Sequence, residues 1–235
     1  MQTYEIVNKY LDAAGLPHLI ADQNFRDLTS EAVSRLRALA DADSVPSNDA
    51  EHHDLYRYRV PLPTQGVGCS LLADEPYDLR LILGGQRADT TDSLLRLGIL
   101  VNTVYEETGC GWLGVYQARV GTNERVLVKL SYRGKPSRAE FPLTKEFAAD
   151  SNNSTVGLSG NARVIDDVEC YVQEGGAYYT CDPNVQAEAC LPLFDIAGNI
   201  AGIVDAEDPR KGYFGGVDLA PFVALCIVAP SYLPK

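Results

Sequence analysis

The chain has 235 residues, 46% of them hydrophobic and 22% charged, with a formal net charge of −12 and a pI of about 4.6. That length holds one large domain, or one domain with a substantial extension, and the composition is that of a globular protein. So acidic a chain repels phosphate backbones, and its 20 Lys and Arg form no basic run, which argues against nucleic acid as a partner. The start, MQTYEIVNKY, lacks the basic-then-apolar pattern of a secretory signal. The longest apolar stretch, LGILVNTV at 97–104, is too short to span a bilayer. The expected setting is cytoplasmic, with no membrane partner.

In chain order, helical spacing covers 3–14 and 29–42, the second segment capped by Thr29 or Ser30. SVPSNDAEHHD (44–54) is a loop, and its EHHD reads either as a metal site or, given polar flanks, as a solvated turn. DLYRYRVPLP (54–63) alternates as a strand does. GGQRADTTD (84–92) is a turn-rich break without the spacing of a phosphate loop. A new unit is expected near Asp92, where DSLLRLGILVNTVYEETG forms an amphipathic helix with Asp92 as its cap and Gly109 as its stop. GWLGVYQARV and RVLVKLSYRG then read as a hairpin joined by GTNE. KEFAADSNNST (145–155) reads as a polar loop, and NARVIDDVECYV as a short helix or turn followed by a strand. EACLPLFDIAGNIAGIVDAED is a second hairpin, and VDLAPFVALCIVA a terminal helix. This order predicts an α+β fold, an antiparallel sheet flanked by helices, over 92–235. Residues 1–91 form an N-terminal extension, a candidate surface for a homodimer or partner contact.

The six cysteines are Cys69, Cys110, Cys170, Cys181, Cys190 and Cys226. None form a CxxC pair and their spacing is not that of a zinc site, so no metal is expected and most read as small buried hydrophobes. The three histidines all lie at positions 18–53, so a Cys–His pair in the C-terminal half requires the chain to fold back. The tandem sequons at Asn152 and Asn153 carry little meaning in a cytoplasmic chain.

GLSGNARV (157–164), PLFDIAGNIAGIVDAEDP (192–209) and YFGGVDLAPF (213–222) resemble GAF domains. GWLGVY (111–116), YRGKP (132–136), TCDPNVQAEACLPL (180–193) and GIVDAED (202–208) are similar, in order, to the GAF proteins that reduce free methionine-(R)-sulfoxide. The resemblance implies a GAF fold with a sulfoxide pocket on Trp112, Tyr116, Glu188, Asp205 and Glu207. It also implies a reactive thiol at Cys181, no bound cofactor, and an external thiol reductant such as thioredoxin. Glu207 stands where the family usually has Asp. Two further family cysteines are replaced: Arg138 stands nearest to one and Ser159 to the other.

The residue pattern is consistent with that chemistry, and also with a plainer one. Asp205 and Glu207 are two apart on a strand and share a face, as do Trp112 and Tyr116 at a spacing of four. Neighbouring buried carboxylates push one pKa up, so that one can donate a proton while another binds an ammonium. On the plainer reading both acids lie in solvent at a strand end and Trp112 is core. Glu188 and Cys190 are also two apart, so Cys190 is the candidate to resolve a Cys181 sulfenic acid, or else a packed core thiol. The function expected is thiol-dependent reduction of free methionine-(R)-sulfoxide. The alternative is a non-catalytic GAF module binding a small amino-acid-like ligand.

Overall fold

The computed structural model describes residues 3–42, 55–62, 71–176, 178 and 182–235. The EHHD segment, Cys69 and Cys181 lie outside the described residues.

The chain begins with α1 (Thr3–Ala13) and α2 (Gln23–Ala40), then a short ribbon of β1 (Arg57–Tyr58) and β2 (Tyr77–Asp78), then α3 (Leu79–Leu83) and the long α4 (Ala88–Thr108). Next come β3 (Trp112–Val120), β4 (Arg125–Arg133), β5 (Glu140–Pro142), α5 (Lys145–Ala148), α6 (Asn152–Ser159), β6 (Arg163–Ile165) and α7 (Val168–Gln173). The chain closes with β7 (Ala187–Phe194), β8 (Ile200–Asp208) and α8 (Ala220–Val228). Six strands form one sheet in the order β5-β4-β3-β8-β7-β6, every neighbouring pair antiparallel. The two expected hairpins, β3–β4 and β7–β8, are both present, and β3 pairs with β8 to join them at the sheet centre.

Strand alternation gives the sheet two unlike faces. Leu113, Val115, Val128, Ala189, Leu191, Val204 and Ala206 point to one face and share a single apolar core with α1, α2, α4 and α8. Trp112, Tyr116, Leu127, Cys190 and Ile203 point to the other and cluster with Phe141, Leu143 and Val156 of α6. Two glycines permit this packing. A Cβ on Gly202 would lie 2.0 Å from the Tyr116 carbonyl, so only glycine lets β8 approach β3 there. A Cβ on Gly114 would lie 2.3 Å from the Trp112 ring, so the indole rests on bare backbone. At the far end of β8 the buried Asp208 accepts the Gly111 amide at 3.0 Å and the Arg210 guanidinium at 2.7 Å, pinning the start of β3.

Several sequence expectations are corrected. Helix α2 starts at Gln23, not near Thr29, because Asp22 caps it by accepting from the Phe25 amide; Thr29 and Ser30 are buried inside the helix. Helix α4 starts at Ala88, so Asp92 is an interior residue paired with Arg96 at 2.8 Å rather than a cap. The polar stretch 145–155 contains α5 and the start of α6, capped by Thr144 and Ser151. The strand β6 precedes helix α7, the reverse of the expected order. The strand at 54–63 shrinks to β1 and an isolated bridge from Pro61 to Leu72.

The boundary expected at 91/92 falls inside α4. Helices α1 and α2 belong to the main core: Phe25, Val33 and Leu36 are fully buried in it, and α2 packs along α8. Tyr10 of α1 donates to the Pro192 carbonyl at 3.0 Å and meets Phe194 edge-on, tying the N-terminal helix to β7. Phe25→Ala is therefore expected to cost about 3–5 kcal/mol, seen as a melting-temperature drop of roughly 10 °C. A chain beginning at Ala88 should fail to give a cooperative thermal transition. A cooperative melt of that shortened chain would show the first helices to be dispensable.

Candidate functional site

The β3–β8–β7 register assembles the site on the second face of the sheet. Trp112 lies opposite Glu207, which lies opposite Glu188; in the next row Gly114 lies opposite Asp205, which lies opposite Cys190. The sequence-expected residues Trp112, Tyr116, Glu188, Asp205, Glu207 and Cys190 are thus brought together on one face. Trp112 is nearly buried, stacks on Tyr132 at 6.1 Å between centroids, and donates its ring N–H to the Lys135 carbonyl at 3.0 Å. The Tyr116 hydroxyl donates to the Arg138 carbonyl at 3.3 Å. Of the two β8 acids Asp205 is not solvated, at 3% exposed, whereas Glu207 is half-buried; Glu188 on β7 is also 3% exposed.

Burying these carboxylates governs their chemistry. Desolvation raises the Glu188 pKa, opposed by hydrogen bonds from Asn152 and Tyr178 and by the Arg163 charge. Desolvation raises Asp205 further, reinforced by the charges of Glu188 and Glu207 and opposed by Asn153 and Lys129. Glu207 is half-buried at the mouth, where it lines a cavity of about 680 Å³ with Trp112, Lys135, Ser137, Asp182 and Asn184. A cavity of this size suits a small molecule.

The thiols are placed unequally. Cys190 shares the face of Glu188 but is fully buried, and burial together with Asp205 and Glu188 pushes its thiol well above the ordinary range. It is a packed, protonated thiol. Cys226 is buried in α8 and Cys170 is exposed on α7. Cys181 lies outside the described residues; of its described neighbours in sequence, Tyr178 hydrogen-bonds Glu188 and Asp182 lines the cavity. Lys135, 47 positions earlier, pairs with Asp182 at 2.6 Å, a cation that inspection of the neighbouring sequence does not find. Arg138 borders the site, its guanidinium 4.8 Å from the Phe147 ring centroid. Ser159 is exposed at the C-terminal end of α6.

Sequence reading missed four residues. Asn152 and Asn153, read only as sequons, are buried in the first turn of α6, where their amides donate to Glu188 at 2.5 Å and Asp205 at 2.9 Å. Tyr178, which no motif or period marks, hydrogen-bonds Glu188. Lys129, fully buried on β4, donates to the Ser137 carbonyl and hydroxyl at 2.8 Å and lies 4.0 Å from the Tyr132 ring centroid. A lysine inside the apolar run RVLVKLSY was a legible signal, because a buried ammonium requires acceptors; the asparagines carried none.

No protein-family model matches the chain, and no curated protein matches it. Solved structures do. A GAF domain structure superposes with a TM-score of 0.55 at 13% identity, covering 99% of this chain and 97% of that one. A putative GAF sensor protein from Burkholderia vietnamiensis gives 0.53 at 17% identity, covering 88% of each chain. The fold is that of GAF domains. A type II free methionine-R-sulfoxide reductase from Thermoplasma acidophilum is also similar, at a TM-score of 0.52 and 18% identity, covering 61% of this chain and 94% of that one. The six-strand antiparallel sheet with flanking helices is the shared GAF architecture. Among the described residues no helix is long and apolar enough to cross a membrane, and no three His, Cys, Asp or Glu side chains converge as a metal site requires.

The raised carboxyl pKa has a consequence for stability. The folded Asp205 value lies above its unfolded value of about 3.9. Its contribution to stability is therefore full below about pH 4 and is lost as pH rises through the folded value. Asp205→Asn removes that loss. Between pH 5 and pH 8 the melting temperature of the wild type is expected to fall more than that of Asp205→Asn. Parallel profiles would remove Asp205 as a buried acid.

Proposed function

We propose that this GAF-fold chain reduces free methionine-(R)-sulfoxide, with Cys181 as the attacking thiol and an external thiol, of which thioredoxin is one, as the reductant. The observation that carries the reading is the row Trp112–Glu207–Glu188 with Asp205 beside it: an aromatic wall facing three carboxylates, two of them buried. The free amino acid sulfoxide brings an ammonium, a polar oxygen and a methyl group. A carboxylate answers the ammonium, a carboxylic acid kept neutral by burial answers the oxygen, and Trp112 with Tyr116 walls the methyl. The likeness of the fold to a free methionine-R-sulfoxide reductase supports the same reading.

In this scheme the Cys181 thiolate attacks the sulfoxide sulfur while whichever of the three carboxyls holds its proton donates to the oxygen. The S–O bond breaks as oxygen passes to Cys181, leaving methionine and a sulfenic acid. One external thiol condenses with the sulfenic acid, releasing water and forming a mixed disulfide. A second external thiol displaces Cys181 and departs in the disulfide, so two thiols are oxidised for each sulfoxide reduced. Burial of Cys190 favours the external thiol over Cys190 as the resolving partner. The same burial favours the second reading, a non-catalytic GAF module for a small amino-acid-like ligand, because a packed Cys190 gives the site no resolving thiol of its own on β7.

Turnover of free methionine-(R)-sulfoxide with dithiothreitol distinguishes the readings. The wild type should consume the compound, Cys181→Ser should lose at least about 100-fold in rate while still binding it, and Cys190→Ser should stay within about twofold of wild type. Binding without turnover by the wild type would select the binding module, and neither binding nor turnover would sink both readings.

A further inference from the structure

Asn152 and Asn153 have no part in the scheme above, yet they are only 3% and 6% exposed. Ser151 caps α6 by accepting the Ser154 amide at 3.3 Å, so neither asparagine serves as the cap, and both side-chain amides turn toward the sheet. Asn152 donates to Glu188 Oε1 and Asn153 to Asp205 Oδ2. Tyr178 supplies a further hydrogen bond to Glu188. Two acceptors are then left over: Asn152 Oδ1 and Asp205 Oδ1 are buried with no hydrogen-bond partner among the described residues. A buried acceptor without a donor costs about 1–3 kcal/mol, and native structures keep few of them outside functional sites. Each orphan belongs to one of two hydrogen-bonded pairs, Asn152–Glu188 and Asn153–Asp205, anchored on neighbouring strands of the sheet, and both are oxygen acceptors. The group they fit is a multiple N–H donor, and a cationic one given the acids beside them.

We propose that Asn152 is a specificity-determining residue for ligands bearing an ammonium group and that Asn153 is the positioning residue for Asp205, so that Asn152 Oδ1 and Asp205 Oδ1 receive the ammonium N–H bonds. The inference rests on the reading that these acids face the ligand. An asparagine suits this place better than a lysine: it donates to the acid and still offers an acceptor, without spending the pocket's negative charge. Each amide also favours the ionised form of the acid it touches, working against desolvation. Among the described residues, the other charged or titratable groups facing the pair are Tyr178, Arg163 and Cys190 at Glu188, and Glu188, Glu207, Lys129, Tyr178 and Cys190 at Asp205.

Trp112 is the only tryptophan of the chain and lines the cavity, so its fluorescence reads binding directly. The wild type, Asn152→Leu and Asn153→Leu are titrated with free methionine-(R)-sulfoxide and with its des-amino analogue, 4-(methylsulfinyl)butanoate. The wild type should prefer the ammonium-bearing compound by roughly tenfold or more, and each variant should lose about tenfold for it but under about threefold for the analogue. The pH midpoint of binding should move up in Asn153→Leu, because Asp205 then keeps its proton to a higher pH. If a leucine variant does not fold, Asn152→Ser and Asn153→Ser, too short to span the same bonds, carry the same expectations. Variants that keep the wild-type ratio of the two affinities would overturn the proposal while leaving the reductase reading in place. A wild type that binds neither compound would overturn the reading on which the proposal rests.

Discussion

Glu188 and Asp205 are carboxylates taken out of water on adjacent strands, and much of the second face of the sheet is arranged around that cost. An isolated buried carboxylate is strongly unfavourable and either finds partners or takes up a proton. Here both responses are present. Asn152, Asn153 and Tyr178 supply hydrogen bonds, Arg163 and Lys129 supply positive charge, and the desolvation that remains raises both pKa values. The position of α6 follows from this, because its first turn carries the amides. Its Val156 then closes the apolar cluster that contains Trp112 and Cys190.

The rim of the cavity depends on buried donors reaching outward. Trp112, Lys129 and Tyr116, all on the second face of β3 and β4, donate to the carbonyls of Lys135, Ser137 and Arg138. An exposed loop is thereby held by groups that cannot exchange their partners for water. The Lys135–Asp182 ion pair extends the arrangement to the segment on the other side of the mouth. Such a pair, with an exposed lysine, contributes little stability alone. Its effect here is geometric, because it links two loops that the sheet already holds close.

Much of the framework was legible in the sequence. Both hairpins, the long helix ending at Gly109, the terminal helix and the shared face of Asp205 with Glu207 follow from periodicity and turn residues alone. The errors have local causes. Thr29 and Asp92 looked like caps because Ser, Thr and Asp are good caps anywhere, and only the chain path decides that Asp22 performs that role for α2. The stretch SNNST looked like loop because a short helix of polar residues has no apolar stripe to reveal it. The first helices looked separable because no motif marks them, whereas their apolar faces are part of the main core.

The sequence by itself determined which residues of one strand share a face, Trp112 with Tyr116, Glu188 with Cys190 and Asp205 with Glu207, since that depends only on strand period; the resemblance to a known family is what grouped Trp112, Tyr116, Glu188, Asp205 and Glu207 as one pocket. Tertiary structure alone decided whether that face is wet or dry. Exposure depends on what covers a strand, and the cover comes from α6, distant in sequence from β7 and β8. For the same reason only the fold turns two apparent sequons into ligands of buried acids, makes Cys190 a packed thiol, and brings Lys135 to the residue that follows Cys181.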